Sequence, residues 1–298
     1  TAHFHTADQT PRPTGGAASP GLAAEIRAGK PSGPTLTQQQ ANEVFALYSE
    51  RRYEEALDKT RALIALHHNL PLLHNLAGAI HNALGQSHQA IGSFRRAIAL
   101  QPERAEAHNN LGEALIRCGE VDEAEEKFRV AIVAKPDFVE AHANLGRVLT
   151  ALGRAREGAE ACHRALALDS ENIPAFLNLA AALDWLDETY AATACIEHVL
   201  NRQPSNVEAH EVLCAILERR DRTDEFRKAL SRARRLCGET DPRIQYRIAQ
   251  QAYRDGDAVT TERFLAKLPE EDTAARLAKA RSCLVDAIAR RSGAHDAD

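Results

Sequence analysis

Four histidines, His74, His108, His142 and His210, stand 34 residues or a multiple of 34 apart. A histidine column invites a metal reading, since neutral imidazole is a common ligand. Yet each step brings one histidine, with no cysteine or carboxylate converging on it, so this column is expected to pack between successive structural units. Asparagine follows the same period: Asn42, Asn110, Asn144 and Asn178 share one register, with Leu76 and Val212 in the remaining places. An amide side chain offers both a donor and an acceptor, which matches the N–H and C=O of a peptide without reading its sequence. The same amides serve equally well in local bonds that hold the fold. The stretch 219–235 (RRDRTDEFRKALSRARR) carries eight basic and three acidic residues. It reads either as a docking patch for an acidic partner or as a solvated helix face. Six cysteines stand at 118, 162, 195, 214, 237 and 283, with no CxxC and none closer than 19 residues. A zinc site usually shows a close pair, so these are expected to be reduced thiols.

Catalysis finds no support in the sequence. GxGxxG, GxxxxGK[ST] and GxSxG are all absent. Arg291-Ser292-Gly293 faintly resembles a phosphate loop, but it lacks the strand and proline that such a loop needs. No enzyme activity, cofactor or metal is expected from this chain. With 37 basic and 42 acidic residues, the net charge of -5 argues against a nucleic-acid partner. No window of 18 apolar residues exists, which argues against a membrane span. No apolar run follows a basic N-terminal stretch, so a cytoplasmic location is expected. Seven lysines against 30 arginines point to a GC-rich, bacterial coding bias.

The elements that must position these residues follow from self-comparison. Ala56, Ala90, Ala124, Gly158 and Ala192 are spaced by 34, as are Gly78, Gly112 and Gly146, with Ala180 and Cys214 continuing the column. Gly85, Gly119 and Gly153 form another column, Phe94, Phe128 and Cys162 a fourth, and Ala97, Ala131 and Ala165 a fifth. Units begin near 37, 71, 105, 139, 173, 207 and 242. Within 106–137, Leu111, Ala114 and Leu115 give a helical pattern, Gly119 ends that helix, and Ala124, Phe128, Ala131 and Ile132 mark a second. Pro102, Pro136 and Pro204 stop the second helices. One such pair cannot bury its apolar side, whereas a stack buries a continuous core. Three regions are expected: a disordered Pro/Gly/Thr-rich arm over 1–35, a repeat region over 36–268, and a capping helix with a polar tail over 269–298. Small residues such as Gly112 let two backbones approach where the helices cross.

These columns resemble the tetratricopeptide repeat, with small residues at positions 8, 20 and 27 of each unit, an aromatic at 24 and a proline at 32. The likeness is strongest from 71 to 170 and weakens after 206, where Phe226 takes the small position 20. It implies an all-α fold, a right-handed superhelical solenoid of about seven helix-turn-helix units with a concave groove lined by the first helices. It further implies a groove lined by Asn42, Asn75, Asn82, Asn109, Asn110, Glu113, Arg117, Asn144, Arg147, Asn178, Asp184 and Trp185. The asparagine column is similar to the peptide-gripping ladder of O-GlcNAc transferase repeats. On that reading, alanine at Asn110, Asn144 and Asn178 weakens binding and leaves the helices intact. The family's chaperone-tail clamp needs cations where this chain has Leu72, Asn75, Asn110, Glu140 and Asn144.

Three functional readings follow. The first is a non-catalytic protein-protein interaction scaffold that holds an extended peptide or partner domain in its groove. The second is the substrate-presenting arm of a bacterial sulfotransferase or glycosyltransferase, since AEAHNNLGEAL and PDFVEAHANLGRVL resemble such arms. The third is a scaffold that self-associates through the arm 1–35.

Overall fold

A computed structural model describes residues 37–266. The arm 1–35, the helix and tail over 269–298 and Arg291-Ser292-Gly293 lie outside the described residues. Among the described residues there are 14 helices and no strand: α1 Gln38–Ser49, α2 Tyr53–Leu66, α3 Pro71–Ala83, α4 Ser87–Leu100, α5 Ala105–Cys118, α6 Val121–Ala134, α7 Val139–Ala151, α8 Ala155–Leu168, α9 Ile173–Trp185, α10 Thr189–Arg202, α11 Val207–Arg219, α12 Thr223–Cys237, α13 Pro242–Arg254 and α14 Ala258–Leu265. They alternate as first and second helices of successive hairpins, the all-α helix-turn-helix architecture that the period implied. The chain divides into two compact units, Thr1–Asn178 and Leu179–Asp298.

Local chemistry starts the first helices. Thr37 caps α1 by accepting from Gln40 N, while the Gln40 side chain accepts from Thr37 N. Such a capping box contributes about 1 kcal/mol. Asn206 caps α11 through a bond from Ala209 N at 2.9 Å, and proline opens α3 and α13, where its missing N–H costs nothing. Each hairpin turns through one left-handed residue. Gly85, Gly119, Gly153 and Gly256 supply it in four hairpins, and Arg51, Asp187 and Asp221 supply it in the other three. The sequence pattern shows the glycines and hides the others, because a non-glycine tells nothing of its own φ.

Three hairpins of the first unit close on a missing side chain. A Cβ placed on Gly78 would lie 2.5 Å from the Phe94 ring, and one on Gly112 would lie 2.7 Å from the Phe128 ring. In the next hairpin the ring is replaced by Cys162, and the backbones come closer still: a Cβ on Gly146 would run into Cys162 Sγ and lie 2.8 Å from Gly158 O. Both Phe94 and Phe128 are fully buried, and together with Leu111, Leu115, Val148 and Leu149 they form the central core of the first unit. In the second unit Phe226 is fully buried on α12, and Leu213, Leu217 and Leu230 are buried on α11 and α12.

The histidine column resolves as a set of inter-repeat latches. His74 Nε2 bonds His68 O at 2.9 Å, His108 bonds Pro102 O at 2.7 Å, His142 bonds Pro136 O at 2.9 Å and His210 bonds Pro204 O at 2.9 Å. A carbonyl oxygen only accepts, so Nε2 carries the proton in each case. Gln245 makes the same bond to Glu239 O at 2.9 Å. Each latch ties the turn that ends one repeat to the first helix of the next.

Two stability outcomes follow. Gly112→Leu drives a side chain into Phe128 and lowers stability by roughly 1–3 kcal/mol, read as a drop in urea midpoint; an unchanged midpoint would break the account of the crossing. Asp221→Gly relieves a left-handed residue whose side chain makes no hydrogen bond, and should raise stability by about 0.5–1 kcal/mol, read as a higher melting temperature.

Candidate functional site

In the first unit, polar residues of α3, α5, α7 and the start of α9 form a strip bonded across successive first helices. Asn110 Nδ2 donates to Asn75 Oδ1 at 3.1 Å, across 35 residues of sequence. One repeat on, Asn144 Nδ2 donates to Asn109 Oδ1 at 3.0 Å and to Glu113 Oε1 at 3.0 Å. Asn178 Nδ2 donates to Ala143 O at 3.0 Å. Arg147 donates to Asn144 Oδ1 at 3.4 Å, and Arg117 Nη1 donates to Asn82 O at 2.7 Å. Asn110, Asn144 and Asn178 therefore do structural work: each of these amides crosses to the first helix of the preceding repeat.

Exposure separates the members of the strip. Asn75 and Asn109 are buried and serve as acceptors for the next repeat. Asn82, Asn110, Glu113, Arg117, Asn144, Arg147 and Asn178 are half-buried, with part of each side chain reaching solvent. Asn42 stands exposed on α1. Tyr48, which the sequence reading passed over, is 6% exposed beside this strip. Burial, with Tyr53 and Glu113 nearby, pushes its phenol above the usual range, while Arg117 opposes the shift. Burial lowers the Arg117 guanidinium below its ordinary value, and Glu113 and Tyr48 pull it back. The signal for Tyr48 lay in its register, two turns after Ala41 on the same helix, and it reads equally as core.

The second unit uses carboxylates where the first uses amides. Asp184 is 4% exposed and accepts from Arg219 Nε at 2.9 Å and Arg220 Nε at 3.1 Å. Glu218 accepts from Arg247 at 2.5 Å and is also bonded by Gln250 and Arg254. Asp184 is thus a buried anchor for the next repeat. Trp185, its neighbour, is 56% exposed, and Tyr190 is 80% exposed with the Arg222 guanidinium 5.0 Å from its ring centre.

The basic stretch 219–235 is largely neutralised. Besides Arg219 and Arg220, Arg222 bonds Glu225 at 2.6 Å, Arg227 bonds Asp255 at 2.7 Å, Arg232 bonds Glu197 at 2.7 Å and Arg234 bonds Glu239 at 2.9 Å. This is the pattern of a solvated, internally paired face. The thiols are not poised for nucleophilic work: burial pushes Cys214 up to about 11, and burial raises Cys118, Cys195 and Cys237 as well. Among the described residues, no three His, Cys, Asp or Glu side chains converge, and no helix is long and apolar enough to cross a membrane.

With this geometry in place, the comparisons with known proteins are direct. The tetratricopeptide repeat model matches residues 76–137, which hold Asn82, Asn109, Asn110, Glu113 and Arg117. No curated protein matches the chain. Among solved structures, a tetratricopeptide repeat protein from Parabacteroides merdae ATCC 43184 is 12% identical, with 77% of this chain and 91% of that one covered at a TM-score of 0.65. PilW, a widely conserved type IV pilus biogenesis factor, is 20% identical, with 70% and 97% covered at 0.59. A thermophilic tetratricopeptide repeat protein of Thermus thermophilus is 19% identical, with 60% and 98% covered at 0.53. Identities this low establish a shared fold. Over residues 76–137 the chain matches the tetratricopeptide repeat, and the helical hairpins on either side continue that fold.

The hydrogen bonds change the outcome expected for alanine at the asparagines. Asn144→Ala removes two inter-repeat bonds, each contributing roughly 0.5–1.5 kcal/mol, and should lower the urea midpoint. Asn42→Ala, at an exposed site, should stay within about 0.5 kcal/mol of the parent. Equal effects from the two variants would mean that the amide ladder carries no stability.

Proposed function

We propose that the first-helix face of residues 71–178 binds an extended segment of a partner protein. The observation that supports this reading is the polar strip itself. Asn110, Glu113, Arg117, Asn144, Arg147 and Asn178 are half-buried on successive first helices. Several of these side chains have capacity beyond the bonds they make within the strip. Asn110 and Asn178 retain a carbonyl oxygen, and Arg117 retains further N–H groups. Rows of amides and guanidinium groups suit a peptide main chain, which presents C=O and N–H along its length. The inter-repeat bonds hold these groups in fixed orientations, which reduces the entropy lost when a ligand orders them.

The ligand in this reading is held by its backbone, so its sequence matters less than its extended shape. A displayed library of random unstructured peptides tests this. Selection on the intact protein should enrich peptides that bind Glu113→Ala/Arg147→Ala at least tenfold more weakly, measured by fluorescence anisotropy with one labelled winner. Helicity of the double variant is the control. Binding that is indifferent to the double change, or a library that never enriches, would sink the proposal, and Trp185 in the second unit would be the next surface to probe.

A further inference from the structure

Two latch histidines, His108 and His210, keep Nδ1 buried without a hydrogen-bond partner; His108 is 6% exposed, and His210, with no exposure at all, has surroundings suited to a neutral ring only. It is fully buried. Its Nε2–H is donated to Pro204 O at 2.9 Å. Its other ring nitrogen, Nδ1, is buried with no hydrogen-bond partner. In the neutral tautomer fixed by the Pro204 bond, Nδ1 is only a lone pair, and leaving it unpaired costs little. Protonation would convert it into a buried N–H without an acceptor and place a full charge away from water, which is costly.

The charged groups facing the ring offer no relief. They are Arg232 of α12 and Glu197 of α10. Those two are bonded to each other at 2.7 Å, so the carboxylate is already committed to a guanidinium. We propose that His210 is an acid-sensitive latch: on protonation the ring leaves its site, the bond to Pro204 breaks, and the turn at 203–206 separates from α11. The balance is a single proton taken from solvent at Nδ1, and deprotonation restores the bond.

The direction is consistent with the surroundings. Burial, the larger effect, holds the His210 pKa below its ordinary value, with Arg232 acting the same way, while the Pro204 carbonyl and Glu197 oppose it. An unfolded chain therefore takes up this proton at higher pH than the folded one. Stability at this site is complete above the ordinary histidine value of about 6.5 and is lost as pH falls below it, down to the lowered folded value. The chain holds its own control. In the following repeat the same latch is made by Gln245, which bonds Glu239 O and does not titrate.

The test compares the full chain with His210→Gln. Hydrogen exchange at the Ala209 and His210 amides, corrected for intrinsic rate, should report opening that grows by up to about tenfold per pH unit below 6.5 in the parent. His210→Gln should hold the same segment closed with a flat profile. Identical profiles in the two proteins would overturn the proposal. Should the variant fold poorly, the imidazole nitrogen shifts of His210 in the parent decide alone. A neutral Nε2–H ring that persists well below pH 6.5 and charges as the segment opens supports the latch, and a ring that titrates at or above 6.5 in the closed protein refutes it.

Discussion

The packing of residues 71–168 rests on the close approach of two helices at a residue with no side chain. Gly78 opposite Phe94 and Gly112 opposite Phe128 let a ring approach the backbone of the partner helix closely. That contact fixes the depth at which each second helix sits. The second helix then forms the floor for the next first helix: α4 packs on α5, and α6 on α7. Where Cys162 replaces the ring, a second glycine, Gly158, compensates by letting the backbones themselves close in. Side-chain volume falls at this crossing, and the closer backbones take up the space, as a tightly packed interior requires.

Once the depth is fixed, polar groups recur at a constant offset. Asn110 to Asn75, Asn144 to Asn109, Asn178 to Ala143 and Arg117 to Asn82 all span 35 residues. Arg219 to Asp184 spans the same distance in the second unit. A 34-residue repeat with 35-residue bonds means that each first helix reaches one position back along its predecessor. The bonds lie along the edge of the apolar core, where unpaired amides would otherwise lose water without replacement. The first unit meets this need mainly with amides, the second with arginine–carboxylate pairs. The proposed binding strip is therefore built from groups that also set the spacing of the repeats.

The architecture was legible because small residues and prolines recur with one period, and because few packings fit glycine opposite an aromatic ring. Legibility failed where one residue type serves two conformations or two purposes. Arg51, Asp187 and Asp221 take the turn position that glycine takes elsewhere, and nothing in their identity announces it. Asn75, Asn109 and Asp184 stand at positions expected to line the groove, yet they are buried; register gives the helix face but not the depth. The arginines of 219–235 read as free charge in sequence, because their carboxylate partners sit a repeat away or across a turn. The histidines were expected to pack between units, but their carbonyl acceptors could not be named, since a proline is noticed for the N–H it lacks before the C=O it keeps.

Every one of these ties reaches no further than the adjoining repeat, which makes the repeats of the first unit interchangeable parts. Excising residues 105–138 as a single cassette would bring like ends together. His142 would find Pro102 O where it now has Pro136 O. Asn144 would find Asn75 Oδ1 in place of Asn109 Oδ1. The joint is already specified by both neighbours, so a gene for this chain can lengthen or shorten by duplication and deletion without having to invent a new interface.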